Sequence, residues 1–144
     1  MAVTLDWLGC ATFRLNINDL VVFLDAYIDR VPSAAPTGIT VDAIKRADWI
    51  VVGHSHFDHL YGAERIATAT GATIIGSYET VRVMEAMGVP LSQLMPVAGG
   101  ERVQLAKDVV VHVYPSQHSC VWTNPSMPAS DQVCLGDLGV LYHE

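Results

Sequence analysis

The stretch Trp49-Ile50-Val51-Val52-Gly53-His54-Ser55-His56-Phe57-Asp58-His59 joins two textures that seldom meet by chance. Trp49 to Val52 is apolar on both faces, as a strand buried within a parallel sheet is. His54 to His59 then places three imidazoles and one carboxylate within six residues. Residues two apart project to the same side of an extended segment, so His54 and His56 converge. Asp58 and His59 follow at the start of a helix expected to begin near Leu60, where the helix dipole favours a carboxylate. Imidazole nitrogen and carboxylate oxygen both bind zinc, and a catalytic site leaves one coordination position for water. So crowded a motif suits one or two divalent ions. The chemistry expected of it is hydrolysis, the metal lowering the pKa of its water towards ~7 and polarising a scissile carbonyl or phosphoryl group. A histidine-rich surface turn would not need a buried strand before it, and a closed structural zinc site favours cysteine, of which none is near.

Outward from this stretch the chain alternates. Thr4 to Trp7, Ala11 to Ile17 and Leu20 to Leu24 have the pattern of three strands, with turns at Gly9-Cys10 and Asn18-Asp19. Residues 30–40 contain Pro32, Pro36 and Gly38 and predict a loop. Asp42 to Ala47 suits one or two helical turns. Leu60 to Thr70 predicts a helix stopped by Gly71, Ala72 to Ile75 a strand, and Tyr78 to Met87 a helix closed by Gly88 and Pro90. Leu94 to Val97, Arg102 to Leu105 and Val109 to Tyr114 predict strands. Residues 116–132 are rich in Ser and Pro and predict a loop or insertion. Hairpins first and strand–helix alternation afterwards imply mixed α/β layers with a sheet covered on at least one face.

With 144 residues, 51% of them hydrophobic, the chain can bury a genuine core in one domain. No apolar run approaches the ~18 residues that span a bilayer, and no basic leader precedes the first apolar stretch. A cytoplasmic protein with reduced thiols at Cys10, Cys120 and Cys134 is expected, with no membrane association. The net charge of −7 argues against a nucleic-acid partner.

His54-x-His56-x-Asp58-His59 after a buried strand resembles the signature of the metallo-β-lactamase fold superfamily. Trp7-Leu8-Gly9-Cys10-Ala11-Thr12-Phe13-Arg14-Leu15, followed by Val22-Phe23-Leu24-Asp25, is similar to the opening hairpin of its lactonase-like, broad metallo-hydrolase branch, which often has His where this chain has Cys10. The resemblance implies the N-terminal half of a four-layer αβ/βα sandwich, a mixed sheet with flanking helices. It implies two zinc ions, with manganese or iron as alternatives. His54 and His56 would bind the first ion, Asp58 and His59 the second, and His118, in the turn Tyr114-Pro115-Ser116-Gln117-His118-Ser119, would complete the first set. Asp58 is then the candidate catalytic residue. Gly136-Asp137-Leu138 resembles the family's bridging Gly-Asp element, but no final histidine follows; His112 lies within a strand and His143 near the end of the chain.

By that standard the single domain over 1–144 is incomplete, its second αβ half missing or carried by another chain. A small-molecule substrate and a complementary half, or an oligomer, are the expected partners. Two rival functions remain: a non-catalytic metal-binding half-domain, and an iron-dependent oxidoreductase using the same ligands. Asp25, ending a strand near the motif, could either orient a metal-bound histidine or cap a turn.

Overall fold

The first three strands form an antiparallel meander: β1 (Val3–Trp7), β2 (Phe13–Ile17) and β3 (Leu20–Leu24). The computed structural model that shows this describes residues 2–115. The predicted 116–132 loop, His118, Asp137 and His143 lie outside the described residues. β2 and β3 are joined through Asn18-Asp19, where Asn18 takes a φ of 52°, a left-handed conformation that asparagine tolerates better than most residues.

From β3 onward the sheet is parallel. β4 (Trp49–Val51), β5 (Thr73–Gly76) and β6 (Leu94–Pro96) add in sequence order, giving one six-stranded mixed sheet, β1-β2-β3-β4-β5-β6. Parallel neighbours need crossovers, and helices supply them. α1 (Phe57–Leu60) and α2 (Ala63–Thr70) connect β4 to β5, and α3 (Tyr78–Ala86) leads from β5 towards β6. Ser77 caps α3 by accepting the Thr80 N–H at 3.2 Å. A separate hairpin of β7 (Arg102–Ala106) and β8 (Val109–His112) follows.

Alternation along the central strands sorts side chains into two cores. Phe23, Ile50 and Ile74 face the helices and pack with Leu60, Ile66 and Met84. Val22 and Ile75 face the other way, against Leu105 of the hairpin, with Trp49 and Val51 beside them. Trp49 ties the layers together by donating its indole N–H to the Leu105 carbonyl at 3.2 Å. The expected αβ half of a sandwich is therefore present, with helices on one sheet face and the start of a second sheet on the other. Among the described residues the hairpin covers the second face only in part. Val3, Leu5 and Trp7 form a row on β1 that remains 55%, 58% and 69% exposed.

Two expectations need correction. The helix predicted over Leu60–Thr70 is two helices, broken at Tyr61-Gly62. Tyr61 turns its carbonyl outward to accept the N–H groups of Ile28 and Asp29 at 2.9 and 3.0 Å. Gly62 has a φ of 108°, and a Cβ there would lie 3.1 Å from the Asp29 nitrogen. The predicted turns over Asp42–Ala47 shrink to one 3-10 turn, Val41–Ala43. The other elements fall within about two residues of their predicted bounds, the usual scatter of helix and strand ends.

Phe23 is fully buried at the centre of the helix-side core. Phe23→Ala is expected to cost about 3–5 kcal/mol of stability, measured by urea unfolding.

Candidate metal centre

The C-terminal ends of β3 and β4 lie side by side, where open parallel sheets gather their functional groups. Asp25 follows β3 directly. Its N–H donates to the Val51 carbonyl at 2.9 Å, and its Oδ1 accepts the Gly53 N–H at 2.7 Å. Asp25 holds a φ of 47°, a conformation that most residues avoid and that is worth a functional explanation where it occurs. It thus locks the two strand ends together at the point where the histidine-rich run leaves the sheet.

The run bends over residues 53–56 rather than continuing as an extended strand. Ser55 is buried, with 1% exposure, and its hydroxyl finds no partner. His54 and His56, on either side of it, are half-buried and come together. Their rings meet edge to face with centroids 4.6 Å apart, and His54 Nε2 lies 3.1 Å from His56 Nδ1. The buried Ser55 hydroxyl is out of reach as an external nucleophile. His56 precedes α1 in extended conformation, without capping it through its side chain. Asp58 and His59 lie inside α1 rather than ahead of a helix at Leu60, because the helix starts three residues early. The His59 N–H bonds to His56 O and the Tyr61 N–H to Phe57 O, each at 3.0 Å.

That early helix start folds the ligand run back on itself. The His59 ring lies against His54, centroids 3.9 Å apart. One donor atom from each of His54, His56 and Asp58 falls within 4.8 Å of the other two. His59 Nε2 is 3.9 Å from Asp58 Oδ2, while on its other side Nδ1 is 3.0 Å from Asp25 Oδ2. That second contact is close enough for an ion pair but lacks the alignment of a hydrogen bond, so the buried Nδ1 remains unsatisfied. Burial alone would lower the imidazole pKa; the adjacent Asp25 carboxylate, and then Asp58, raise it, and the net direction is upward.

The donor set fits a divalent cation. Two nitrogens bound to one tetrahedral zinc at ~2.0–2.1 Å sit about 3.3 Å apart, close to the His54–His56 spacing. A metal-binding imidazole commonly backs its second nitrogen onto a carboxylate, and Asp25 stands in that position behind His59. His54, His56, Asp58 and His59 are therefore brought together, while His118 lies outside the described residues. His112 is exposed on β8 and takes no part in the cluster; Cys10 is exposed on the β1–β2 turn. Of the two roles open to Asp25 from sequence, the structure shows that it ties the turn through Gly53, and it places the other carboxylate oxygen 3.0 Å from His59 Nδ1. Arg30, whose contacts are to backbone carbonyls and to the Tyr27 ring, carries no sequence signal.

The Beta-lactamase superfamily domain matches residues 21–136. A UPF0173 metal-dependent hydrolase from Pyrobaculum arsenaticum is 31% identical over 137 residues, covering 95% of this chain and 58% of that protein. The chain thus spans little more than half the length of such relatives. Among solved structures, the metallo hydrolase Igni18 from Ignicoccus hospitalis superposes with a TM-score of 0.64 at 22% identity, covering 81% of this chain and 50% of that one. A peroxy diiron form of the chemotaxis sensor ODP superposes with a TM-score of 0.53 at 25% identity, covering 78% and 48%.

Removing the Asp25 carboxylate leaves the Gly53 N–H without its acceptor. Asp25→Ala is expected to lower stability by about 0.5–1.5 kcal/mol and to speed amide exchange at Gly53. Asp25→Asn, which keeps an acceptor and tolerates the left-handed backbone, should retain most of both, measured by denaturation and by hydrogen exchange.

Proposed function

We propose, from the premise that this chain belongs to the beta-lactamase superfamily, that it carries the ligand turn of a metal-dependent hydrolase with two zinc ions. The observation that carries the reading is the convergence of His54, His56 and Asp58, with Asp25 set behind His59. His54 and His56 are assigned to the first ion, with His118 as their third partner. Asp58 and His59 are assigned to the second. A bound divalent cation supplies Lewis acidity to the substrate and lowers the pKa of coordinated water towards ~7.

The chain's own residues do the rest. Asp25, 3.0 Å from His59 Nδ1, is assigned to orienting that ring. Asp58 is half-exposed, so one carboxylate oxygen can bind metal while the other accepts a proton from the attacking water. The substrate class proposed is a small molecule with a lactone, ester, amide or phosphodiester bond. That the Pyrobaculum arsenaticum relative is named a metal-dependent hydrolase supports the class of reaction. The likeness to a diiron sensor makes iron chemistry the specific rival.

A complementary αβ half is proposed as partner. The chain matches 58% of the Pyrobaculum arsenaticum protein. The exposed row Val3, Leu5 and Trp7 extends the sheet face that the β7–β8 hairpin covers only in part. An apolar surface of that kind is where a second sheet would pack.

Zinc analysis of the purified chain tests the ligand assignment: His56→Ala should reduce bound zinc to roughly half or less, and unchanged stoichiometry would refute it. The zinc-loaded protein, supplied with its second half, should then hydrolyse at least one member of a lactone, ester, amide and phosphodiester panel. Bound iron with redox turnover and no hydrolysis would overturn the reading. For the partner surface, Leu5→Glu should reduce binding of an apolar dye such as ANS by the isolated chain; unaltered binding would show that the β1 row is not the open face.

A further inference from the structure

One guanidinium links three separate segments around the metal-ligand turn. Arg30 Nε donates to the Tyr27 carbonyl at 3.2 Å, Nη1 to the Ala35 carbonyl at 3.1 Å, and Nη2 to the Leu8 carbonyl at 3.0 Å. Leu8 lies in the β1–β2 turn, Tyr27 in the segment that leaves β3, and Ala35 in the proline-containing loop. The same guanidinium lies over the Tyr27 ring, 5.2 Å from its centroid. A cation over an aromatic face and a planar fork of donors are two things that arginine does and lysine does not do equally well. Gly9 is shaped around this group: it takes a φ of 93°, and a Cβ there would lie 3.0 Å from Nη1.

Tyr27 carries the constraint onward. It is buried, its N–H donates to the fully buried Thr12 hydroxyl at 3.2 Å, and its own hydroxyl accepts the Val31 N–H at 3.1 Å. Its ring meets the Phe57 ring edge to face, centroids 5.9 Å apart and planes at 84°. Phe57 stands between His56 and Asp58 and opens α1. Its ring is therefore held on one side by Tyr27 and on the other by Tyr61, 5.7 Å away. A stack from Arg30 through Tyr27 to Phe57 thus ends on the backbone that presents two candidate ligands.

We propose that Arg30 is a positioning residue for the metal centre, acting through Tyr27 and Phe57 to fix the angle at which α1 presents Asp58 and His59. The inference rests on the metal-site reading and goes beyond it, since Arg30 makes no hydrogen bond or ion pair with the described candidate ligands. Packing rather than charge transmits the effect: the ring pair sets where Phe57 can sit, and interiors are too densely packed for it to shift freely.

The test uses cobalt(II) alone as the probe, bound to the full 144-residue chain. Three measurements are made on each protein: cobalt affinity by competition with a chelator, the d–d absorption spectrum of the bound ion, and thermal stability. Arg30→Met keeps the stem and removes the fork. It is expected to weaken cobalt binding about tenfold, the lower end of what residues outside the ligand set contribute, and to alter the spectrum. Arg30→Lys should recover part of the affinity, and it decides the question if Arg30→Met does not fold. Arg65→Met is the control. Arg65 pairs with Asp29, next to Arg30, and with Asp42, each at 2.7 Å, so its guanidinium bonds lie on carboxylates rather than on Tyr27. It should leave affinity and spectrum unchanged. Wild-type affinity and spectrum in either folded Arg30 variant would overturn the proposal, as would an equal effect in Arg65→Met. A wild-type chain that binds no cobalt fails the metal-site reading itself, whereas a wild type that binds it and an Arg30→Met that binds it equally well fails the positioning role alone.

Discussion

The Asp25 carboxylate is the joint on which the candidate centre depends. One oxygen holds the Gly53 N–H at 2.7 Å, and the other faces His59 at 3.0 Å. The first contact joins the ends of β3 and β4; the second reaches α1. Without it the histidine-rich run would leave the sheet at Gly53 with only backbone bonds to direct it. The left-handed backbone of Asp25 follows from the same requirement, since the carboxylate must turn back over the strand ends. A strained, charged residue at a strand terminus is costly for stability alone and is tolerated where the surrounding structure over-determines it.

The scaffold below this joint is ordinary, and that is its use. Alternating side chains on β3, β4 and β5 fill one core against the helices and another against the hairpin. Strands buried on both faces have little freedom to slip register, because a one-residue shift would exchange the two cores. The strand ends, and with them Asp25 and His54, are therefore placed largely by apolar packing. The polar contacts only finish the placement. This division explains why four candidate ligands can come from one short run: the run needs no support from distant loops to begin at the right point.

How much of this was legible in the sequence follows from the range of each interaction. The strands and the ligand motif were readable because their signals are local: period-two apolarity, glycine stops, and imidazoles two residues apart. The convergence of His54 and His56 was expected from the alternation of an extended chain; the described run reaches it through bends over residues 53–56. The break at Gly62 was hidden because a glycine inside a helical pattern is usually tolerated. What breaks the helix is a distant demand, the Ile28 and Asp29 N–H groups needing the Tyr61 carbonyl. Asp25 could not be assigned one role because its two partners, Gly53 and His59, are 28 and 34 positions away, and each role alone accounts for an aspartate at that place. His118, assigned by resemblance, lies outside the described residues.

Arg30 shows the limit of sequence reading most clearly. Its partners are three backbone carbonyls and the face of a ring, and a carbonyl has no residue type by which to be recognised. The only sequence trace is indirect: Gly9, whose missing side chain leaves room for the guanidinium. A glycine in a turn is explained well enough by backbone conformation, so the second reason for it becomes visible only in three dimensions. The same holds for Phe57, a variable position within the ligand motif that its pattern leaves without a role. Its ring meets Tyr27 and Tyr61 beside the turn between His56 and Asp58, so residues between ligands can matter as much to the centre's shape as the ligands do.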